Sequence, residues 1–129
     1  LLALEGVSLW TLEVADLPSL LPALSSLLDG MVVATNQFPL VANTTIFHHI
    51  LPDLIPPIER RYVLPFFGLD DELLGQCSAS SVLVGLLPYY LRVARERETD
   101  IRALIHLENE NWQTSVSKVI DNAIVGAPR

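Results

Sequence analysis

The stretch LLGQCSASSVLVGLLPYYL, residues 73–91, decides the fold because no charged side chain interrupts it. A charge-free stretch of this length is about long enough to cross a bilayer as a helix. Its glycines, its serines, Gln76 and Pro88 make it less apolar than a membrane span. The stretch therefore predicts a buried helix at the centre of a protein that stays out of the membrane.

The flanking residues set the limits of this central helix. The acids at residues 70–72 suit a helix N-terminus, where the helix dipole stabilises negative charge. The predicted helix runs to about Glu98, with a break near Gly85 or Pro88, because an interior proline removes a backbone hydrogen bond. Its charged end, residues 92–98, is interpreted as a solvated surface. Cys77 is predicted to be a buried, unreactive thiol because it lies in the apolar part.

Helical patterns continue on both sides of the central helix. Leucines recur at spacings of three and four after Asp16, which predicts a helix that ends near Gly30. Asn43 and Thr44 are candidate caps for a helix over residues 45–51. Further helices are predicted at residues 58–64, from about residue 100 to 107, and from Ser115 to about residue 125.

The remaining segments complete the predicted architecture. Residues 1–14 alternate weakly and predict a short strand or an extended arm. Residues 52–57 contain three prolines and predict an irregular connection. The fold class is therefore mainly α: a compact bundle of five or six helices in a single helical domain over residues 1–129.

The composition fits one folded domain. Half of the 129 residues are hydrophobic and 18% are charged, which excludes intrinsic disorder. The mean hydropathy of +0.40 is high for a protein that stays monomeric in water. Either the helices bury more than one face, or a second copy of the chain covers apolar surface, and the homo-oligomer stays open as an alternative.

The charge of the chain bears on its partners and its compartment. The net charge is −7 with only eight Lys and Arg, so nucleic-acid binding is not favoured, although six arginines between residues 60 and 102 leave room for a local basic face. Cys77 is the single cysteine, which suits a reducing compartment. No basic region precedes the apolar start, so a cytoplasmic location without a secretory signal is expected.

The most unusual segment holds His48 and His49, with Asp53 nearby. Two imidazoles and a carboxylate can bind a metal or move a proton. However, adjacent side chains on a helix point about 100° apart, so both rings do not easily reach one ion. Pro52 also interrupts the helix before Asp53. The alternative is that one histidine is buried and hydrogen-bonded while the other faces solvent, and no metal site is assigned.

A second candidate is the S-x-x-K pattern formed by Ser115 and Lys118, which occurs in serine acyl-enzymes. The companion patterns of those enzymes are absent, and Ser115 as a helix N-cap explains the same residues. Trp112 is a candidate stacking platform, or an aromatic residue packed at the start of the last helix. The chain has no glycine-rich phosphate loop and no zinc-spaced Cys and His set, so it indicates no particular cofactor.

Two segments resemble known sequences. HHILPDLIPPIERRY, residues 48–62, resembles a segment of uncharacterised microbial proteins that reads roughly SK-x-LHHLLPDL-x-PP-x-DR-x-YT. TSVSKVIDNAI, residues 114–124, resembles the TS-x-x-KVIDNAI segment of the same proteins. The resemblance covers about 26 of the 129 residues and implies kinship, but no activity. It suggests one buried network in which Asp121 pairs with an arginine.

A more distant resemblance is to the helix-hairpin-helix DNA glycosylases, in which a helical Lys precedes a P-x-x-D motif. It implies an all-α fold and, in that family, action on a flipped nucleotide. Thr45 stands at the Lys position here and Glu59 at the Asp position, and no G-x-G hairpin is found. The resemblance therefore implies the fold rather than the glycosylase reaction.

Three hypotheses of function follow. The favoured one is a helical interaction or ligand-binding domain without chemistry of its own. The second is a nucleic-acid or nucleotide-acting enzyme, and the third is a metal-assisted hydrolase that uses His48, His49 and nearby carboxylates. For an enzyme, the catalytic candidates are His49, Glu59, Lys118 and Asp121, and the binding candidates are His48, Asp53, Arg60, Arg61, Asn122 and Trp112.

Overall fold

The computed structural model describes residues 4–31, 39–105 and 115–127, and helices are the regular structure in these ranges. The prediction of a mainly α fold is confirmed. The described part of the chain contains seven α-helices where five or six were predicted: α1 Leu17–Leu28, α2 Pro39–Ile50, α3 Val63–Phe66, α4 Asp71–Gln76, α5 Ala79–Glu96, α6 Glu98–Ile105 and α7 Val116–Val125.

Helix α5 forms the centre of the fold, as the charge-free stretch predicts. It packs against α1, α2, α6 and α7 and buries one apolar face, which includes Leu83, Leu87 and Leu91. Burial of one large aliphatic side chain stabilises the fold by about 1.5–3 kcal/mol, so this face anchors the bundle. None of the helices in the described ranges is both long and apolar enough to cross a membrane.

The predicted long helix is broken at a different place from the expected one. Pro88 lies inside α5, whereas α4 ends at Gln76 and α5 starts after Ser78. The Ser78 hydroxyl caps α5 by accepting from the Ser81 N–H. Cys77 lies in this break and is exposed, so the prediction of a buried thiol is wrong.

Helix α2 starts at Pro39, earlier than predicted, and the two predicted cap residues bind other segments instead. Asn43 and Thr44 lie inside α2 and are buried. The Asn43 side-chain amide donates to the Leu28 carbonyl at the end of α1, over 2.6 Å. The Thr44 hydroxyl accepts from the Ile58 N–H at 3.1 Å. Both side chains therefore satisfy backbone groups that lie far away in the sequence.

The N-terminal residues belong to the core. Residues 4–12 form turns and no strand, and a 3₁₀ helix follows at Val14–Asp16. Leu4 and Leu9 are fully buried, and the Leu9 N–H donates to the Asp53 carbonyl at 2.8 Å. This contact joins the start of the chain to the connection between α2 and α3.

The connection over residues 51–62 is irregular, as the prolines predict, and α3 starts later than residue 58. Its apolar side chains Leu54, Ile55 and Ile58 are buried. The connection lies against α7, so the two segments singled out from the sequence are in contact. This packing positions the first candidate site.

Candidate functional site

The first candidate site lies where the end of α2 and the 51–62 connection meet α7. We call it the α7 cluster, and it consists of His48, Asp53, Ser115, Ser117, Lys118 and Asp121. The His48 ring nitrogen Nδ1 lies 2.8 Å from the Ile55 carbonyl oxygen. A carbonyl only accepts hydrogen bonds, so Nδ1 carries the proton and donates.

Ser117 holds α7 to the connection. Its hydroxyl is fully buried and donates to the Pro52 carbonyl over 2.5 Å. The same oxygen lies 3.3 Å from His48 Nδ1. Because its proton is directed to the backbone and its oxygen is shielded from solvent, Ser117 is placed as a structural link and not as an exposed nucleophile.

Burial keeps His48 neutral. It lowers the pKa of His48 below its usual 6.5, and the positive charges of Lys118 and His49 add to the effect. The Ile55 carbonyl and Asp53 act in the opposite direction, but the pKa of His48 stays lowered. The ring is thus a neutral donor inside the fold at physiological pH.

The S-x-x-K residues serve the start of α7. The buried Ser115 hydroxyl accepts from the Lys118 N–H at 3.3 Å, so the predicted N-cap is confirmed. The Lys118 ammonium points elsewhere and binds Asp121 Oδ2 at 3.2 Å. Acyl-enzyme chemistry requires a base that faces the serine hydroxyl, and the Lys118 ammonium does not face Ser115 in this arrangement.

Asp121 is the buried carboxylate of the cluster. It is only 3% exposed, and burial raises its pKa, while the charge of Lys118 opposes the shift and that of Glu59 adds to it. Its partner is Lys118 on the same helix, so the prediction of an arginine partner is wrong. Asp121 Oδ1 and the Tyr90 hydroxyl are buried without a hydrogen-bond partner among the described residues.

The other predicted site residues have separate surroundings. Glu59 Oε2 accepts from the Tyr62 N–H at 2.7 Å, which closes the turn before α3. Arg60 pairs with Asp71, and the Arg61 guanidinium lies 5.3 Å from the centre of the Tyr62 ring.

The remaining candidates complete the comparison with the sequence hypotheses. His49 is exposed on α2, Asn122 is half-buried on α7, and Trp112 lies outside the described residues. Of the four catalytic candidates, Lys118 and Asp121 are in direct contact, Glu59 influences Asp121 through its charge, and His49 faces solvent. Within the described ranges, no three His, Cys, Asp or Glu side chains are grouped as a metal site requires.

A second candidate site lies on the outer face of α5. Here the residues around the 3₁₀ helix and the helix itself enclose a groove of about 730 Å³, which we call the α5 groove. Its lining is mainly apolar but includes three charged side chains. The lining residues are Glu13, Val14, Ala15, Pro88, Tyr89, Leu91, Arg92 and Arg95.

The two arginines of the α5 groove differ in their partners. Arg95 binds Glu13 Oε1 at 2.7 Å and the Leu12 carbonyl at 2.9 Å, so it ties the N-terminal segment to α5. The exposed Arg92 guanidinium lies 5.9 Å from the centre of the Tyr89 ring. No carboxylate of the described chain forms an ion pair with Arg92. The groove therefore offers one cation beside apolar walls.

An aromatic ridge made of Phe66, Phe67 and Tyr89 borders this groove. Phe66 is 45% exposed, and its ring packs edge-on against Phe67 at 5.1 Å and against Tyr89 at 5.8 Å between ring centres. Such edge-to-face pairs hold rings in fixed positions. The ridge thus extends the apolar lining of the groove onto the surface of α3.

An acidic hollow of about 640 Å³ lies next to the ridge, since Pro65 in its lining precedes Phe66 in the chain. It is lined by Arg60, Leu64, Pro65, Leu69, Asp70, Asp71 and Glu72. Asp70 caps α4 and Asp71 pairs with Arg60, whereas Glu72 is exposed and forms no ion pair within the described ranges. Leu73 follows directly and is 46% exposed.

Reasoning from the sequence missed the α5 groove. From the sequence, residues 92–98 were interpreted as a solvated helix end. The other wall of the groove comes from residues 13–15, which are too far away in the chain for a local pattern to include them. One local signal was present. In the pair Tyr89-Tyr90 only one ring can face the core, so a half-buried ring near Arg92 was to be expected.

Comparisons with known proteins add no assignment to this geometry. No protein-family model, no curated protein sequence and no solved structure matches the chain.

Proposed function

We propose that the chain is an interaction domain without chemistry of its own, which binds an amphipathic protein segment in the α5 groove and along the aromatic ridge. The observation that carries this proposal is Arg92. It is an exposed cation without an ion-pair partner in the described part of the chain, and it stands beside an apolar groove. Arginine and aromatic side chains are enriched at the centres of protein interfaces.

The size and chemistry of the groove suggest its occupant. A volume of about 730 Å³ takes a few apolar side chains of a partner. The walls at Val14, Pro88 and Tyr89 suit the apolar face of a helix laid into the groove, and Arg92 suits a carboxylate on the border of that face. The occupant is therefore an acidic amphipathic helix.

The same groove is a poor site for nucleic acid. Duplex binding relies on several phosphate contacts, each made by a cation. Of the two arginines here, Arg95 is already paired with Glu13, and the chain carries a net charge of −7. The nucleotide-acting hypothesis therefore remains an outcome of the test below and not a second proposal.

We assign the α7 cluster a structural role. Its buried polar atoms mainly bond α2 and α7 to the 51–62 connection, or cap α7 itself. The domain is proposed to act in the cytoplasm, because an exposed single thiol such as Cys77 suits a reducing compartment.

The test is an NMR titration with a synthetic peptide. The probe is a capped peptide of about 16 residues with Leu on one helical face and Glu beside it. Amide shifts are expected at Val14, Tyr89 and Arg92, and Arg92→Glu should weaken binding at least about tenfold. Arg97→Glu, an exposed position with the same charge change, is the matched control.

Three results would overturn the proposal. They are equal binding by the Arg92→Glu variant, equal binding of a scrambled peptide without the amphipathic spacing, and shifts confined to other surfaces. Stronger, salt-sensitive binding of a short single-stranded oligonucleotide at the same arginines would replace the proposal with the nucleic-acid alternative.

A further inference from the structure

We infer that the occupant of the α5 groove is a second copy of this chain, in a two-fold dimer in which the short helix α4 of each copy, with Glu72 and Leu73, lies against the α5 groove of the other. This inference rests on the proposed function, because it names the partner of the same surface. In the dimer, Glu72 of one copy faces Arg92 of the other, and the two Phe66 rings meet near the axis.

The order of the three surface features supports a two-fold arrangement. Pro65 lines the acidic hollow, and its neighbour Phe66 contacts Tyr89, which lines the α5 groove. The surface therefore runs from acidic through aromatic to basic. A two-fold axis through the aromatic part brings the acidic end of one copy onto the basic end of its partner, which is the self-complementarity that a symmetric dimer requires.

The opposite charges of Glu72 and Arg92 support a second copy as the partner. A chain with a net charge of −7 repels its own copies unless acids of one face cations of the other. Glu72 and Arg92 are both exposed, and neither forms an ion pair within the described residues. Each therefore has a complementary side chain available on the partner copy.

The apolar surface agrees with this pairing. Leu73 beside the acids, Phe66 on the ridge and Val14 at the groove are 46%, 45% and 57% exposed. A dimer that covers these side chains removes apolar surface from water, which agrees with the high mean hydropathy of +0.40. A standard interface removes about 800 Å² per partner from water, roughly a tenth of the 7601 Å² surface of the chain.

A charge exchange tests the pairing directly. Light scattering coupled to size exclusion is run from about 1 μM to about 1 mM, the range of moderate to weak dimers. The unaltered chain should shift from monomer to dimer. Arg92→Glu alone and Glu72→Lys alone should each weaken dimerisation at least about tenfold, since two pairs of like charges then meet across the axis. An equimolar mixture of the two variants should dimerise again, because every pair is complementary in the mixed dimer.

Exposed charges elsewhere provide the controls. Arg97→Glu and Glu5→Lys make the same charge changes away from the proposed pair and should leave the dimer unchanged. Far-UV circular dichroism of each variant checks that the fold is kept. Phe66→Ser, at a surface ring, should weaken the dimer in the same assay.

The outcomes separate this inference from the proposed function. A chain that stays monomeric at the highest concentration, yet binds the acidic peptide through Arg92, overturns the dimer and leaves the interaction domain standing. A dimer that ignores both charge variants uses another surface, which overturns the inference as well. Failure of the mixed variants to reassociate rejects the pairing of Glu72 with Arg92.

Discussion

The α7 cluster and the α5 groove both combine charged and polar side chains with apolar neighbours, but they use them differently. In the α7 cluster, Ser117 and His48 are buried and bonded to backbone carbonyls of the same chain. In the α5 groove, Arg92 lies on the surface beside the Tyr89 ring. The histidine and serine of the α7 cluster suggest catalysis in the sequence but stabilise the fold. The surface available to a partner lies instead around Arg92, in a segment that the sequence indicated only as a helix end.

This difference predicts that the two regions separate stability from binding. Substitutions in the α7 cluster should lower the free energy of unfolding and leave the affinity of the groove unchanged in the folded fraction. Substitutions in the α5 groove should do the reverse. Each of the following experiments sharpens or breaks this separation.

The largest effect is expected for Ser117→Val. The substitution removes the buried hydroxyl that donates to the Pro52 carbonyl, and loss of one such hydrogen bond costs about 0.5–1.5 kcal/mol. Urea unfolding of the variant should show that loss. Ser26→Ala, at an exposed serine of α1, is the control and should change stability by less than about 0.5 kcal/mol. A loss equally small for Ser117→Val would remove the structural role of the cluster.

The second prediction concerns acid and His48. Burial lowers the pKa of His48 below 6.5 in the folded state, so the unfolded chain binds this proton more readily. The contribution of neutral His48 to stability is therefore fully present above pH 6.5 and decreases as the pH falls from there to the lowered pKa. Unfolding curves between pH 7.5 and pH 5 measure this loss.

His48→Asn provides the matched control for that pH series. Its amide can still donate toward the Ile55 carbonyl, but it does not titrate. The difference in unfolding free energy between the unaltered chain and this variant should shrink or reverse as the pH falls. A difference that stays constant over the series would show that His48 carries the same charge in the folded and unfolded states.

The third prediction concerns Asp121, whose effect on stability changes with pH in the opposite direction to that of His48. Burial raises its pKa, so the folded state binds the proton more tightly, and this group stabilises the fold increasingly as the pH falls through the raised pKa toward 3.8. Asp121→Asn should abolish that gain. At neutral pH the variant should change stability by less than about 1 kcal/mol, because the Lys118 partner is partly exposed. A loss of several kcal/mol at neutral pH would mean that Asp121 anchors a buried ion pair.

Local rules predicted much of the fold, but not the contacts between distant segments. The charge-free stretch identified α5, and the capping rule identified Ser115 correctly, because both depend on neighbouring residues. The start of α5 has a local cap in Ser78, but it is also fixed by a distant contact, in which the Ser80 N–H donates to Asp29 at 3.0 Å across the bundle. No periodic pattern contains such a contact, and the break before α5 was therefore predicted at the wrong place.

The candidate site follows the same division. The unusual residue types identified the segments that form the α7 cluster. The ion-pair partner of Asp121 was predicted to be an arginine, but it is Lys118, which lies three residues before Asp121 on the same helix. The α5 groove depends on Glu13 reaching Arg95 from the other end of the chain. Tertiary packing alone brings these residues together, so the groove was beyond local reasoning.

The smallest change in stability is expected for Arg92→Glu, and it bears most directly on the comparison. Arg92 is exposed and forms no ion pair in the described chain, so the variant should unfold within about 0.5 kcal/mol of the unaltered protein. Peptide binding and dimerisation should nevertheless weaken at least about tenfold. If urea unfolding of the variant shows a loss of unfolding free energy above 1 kcal/mol, Arg92 stabilises the fold as Ser117 does. The separation of stability in the α7 cluster from binding in the α5 groove is then wrong. A stable variant that no longer associates shows that the cation is kept for a partner.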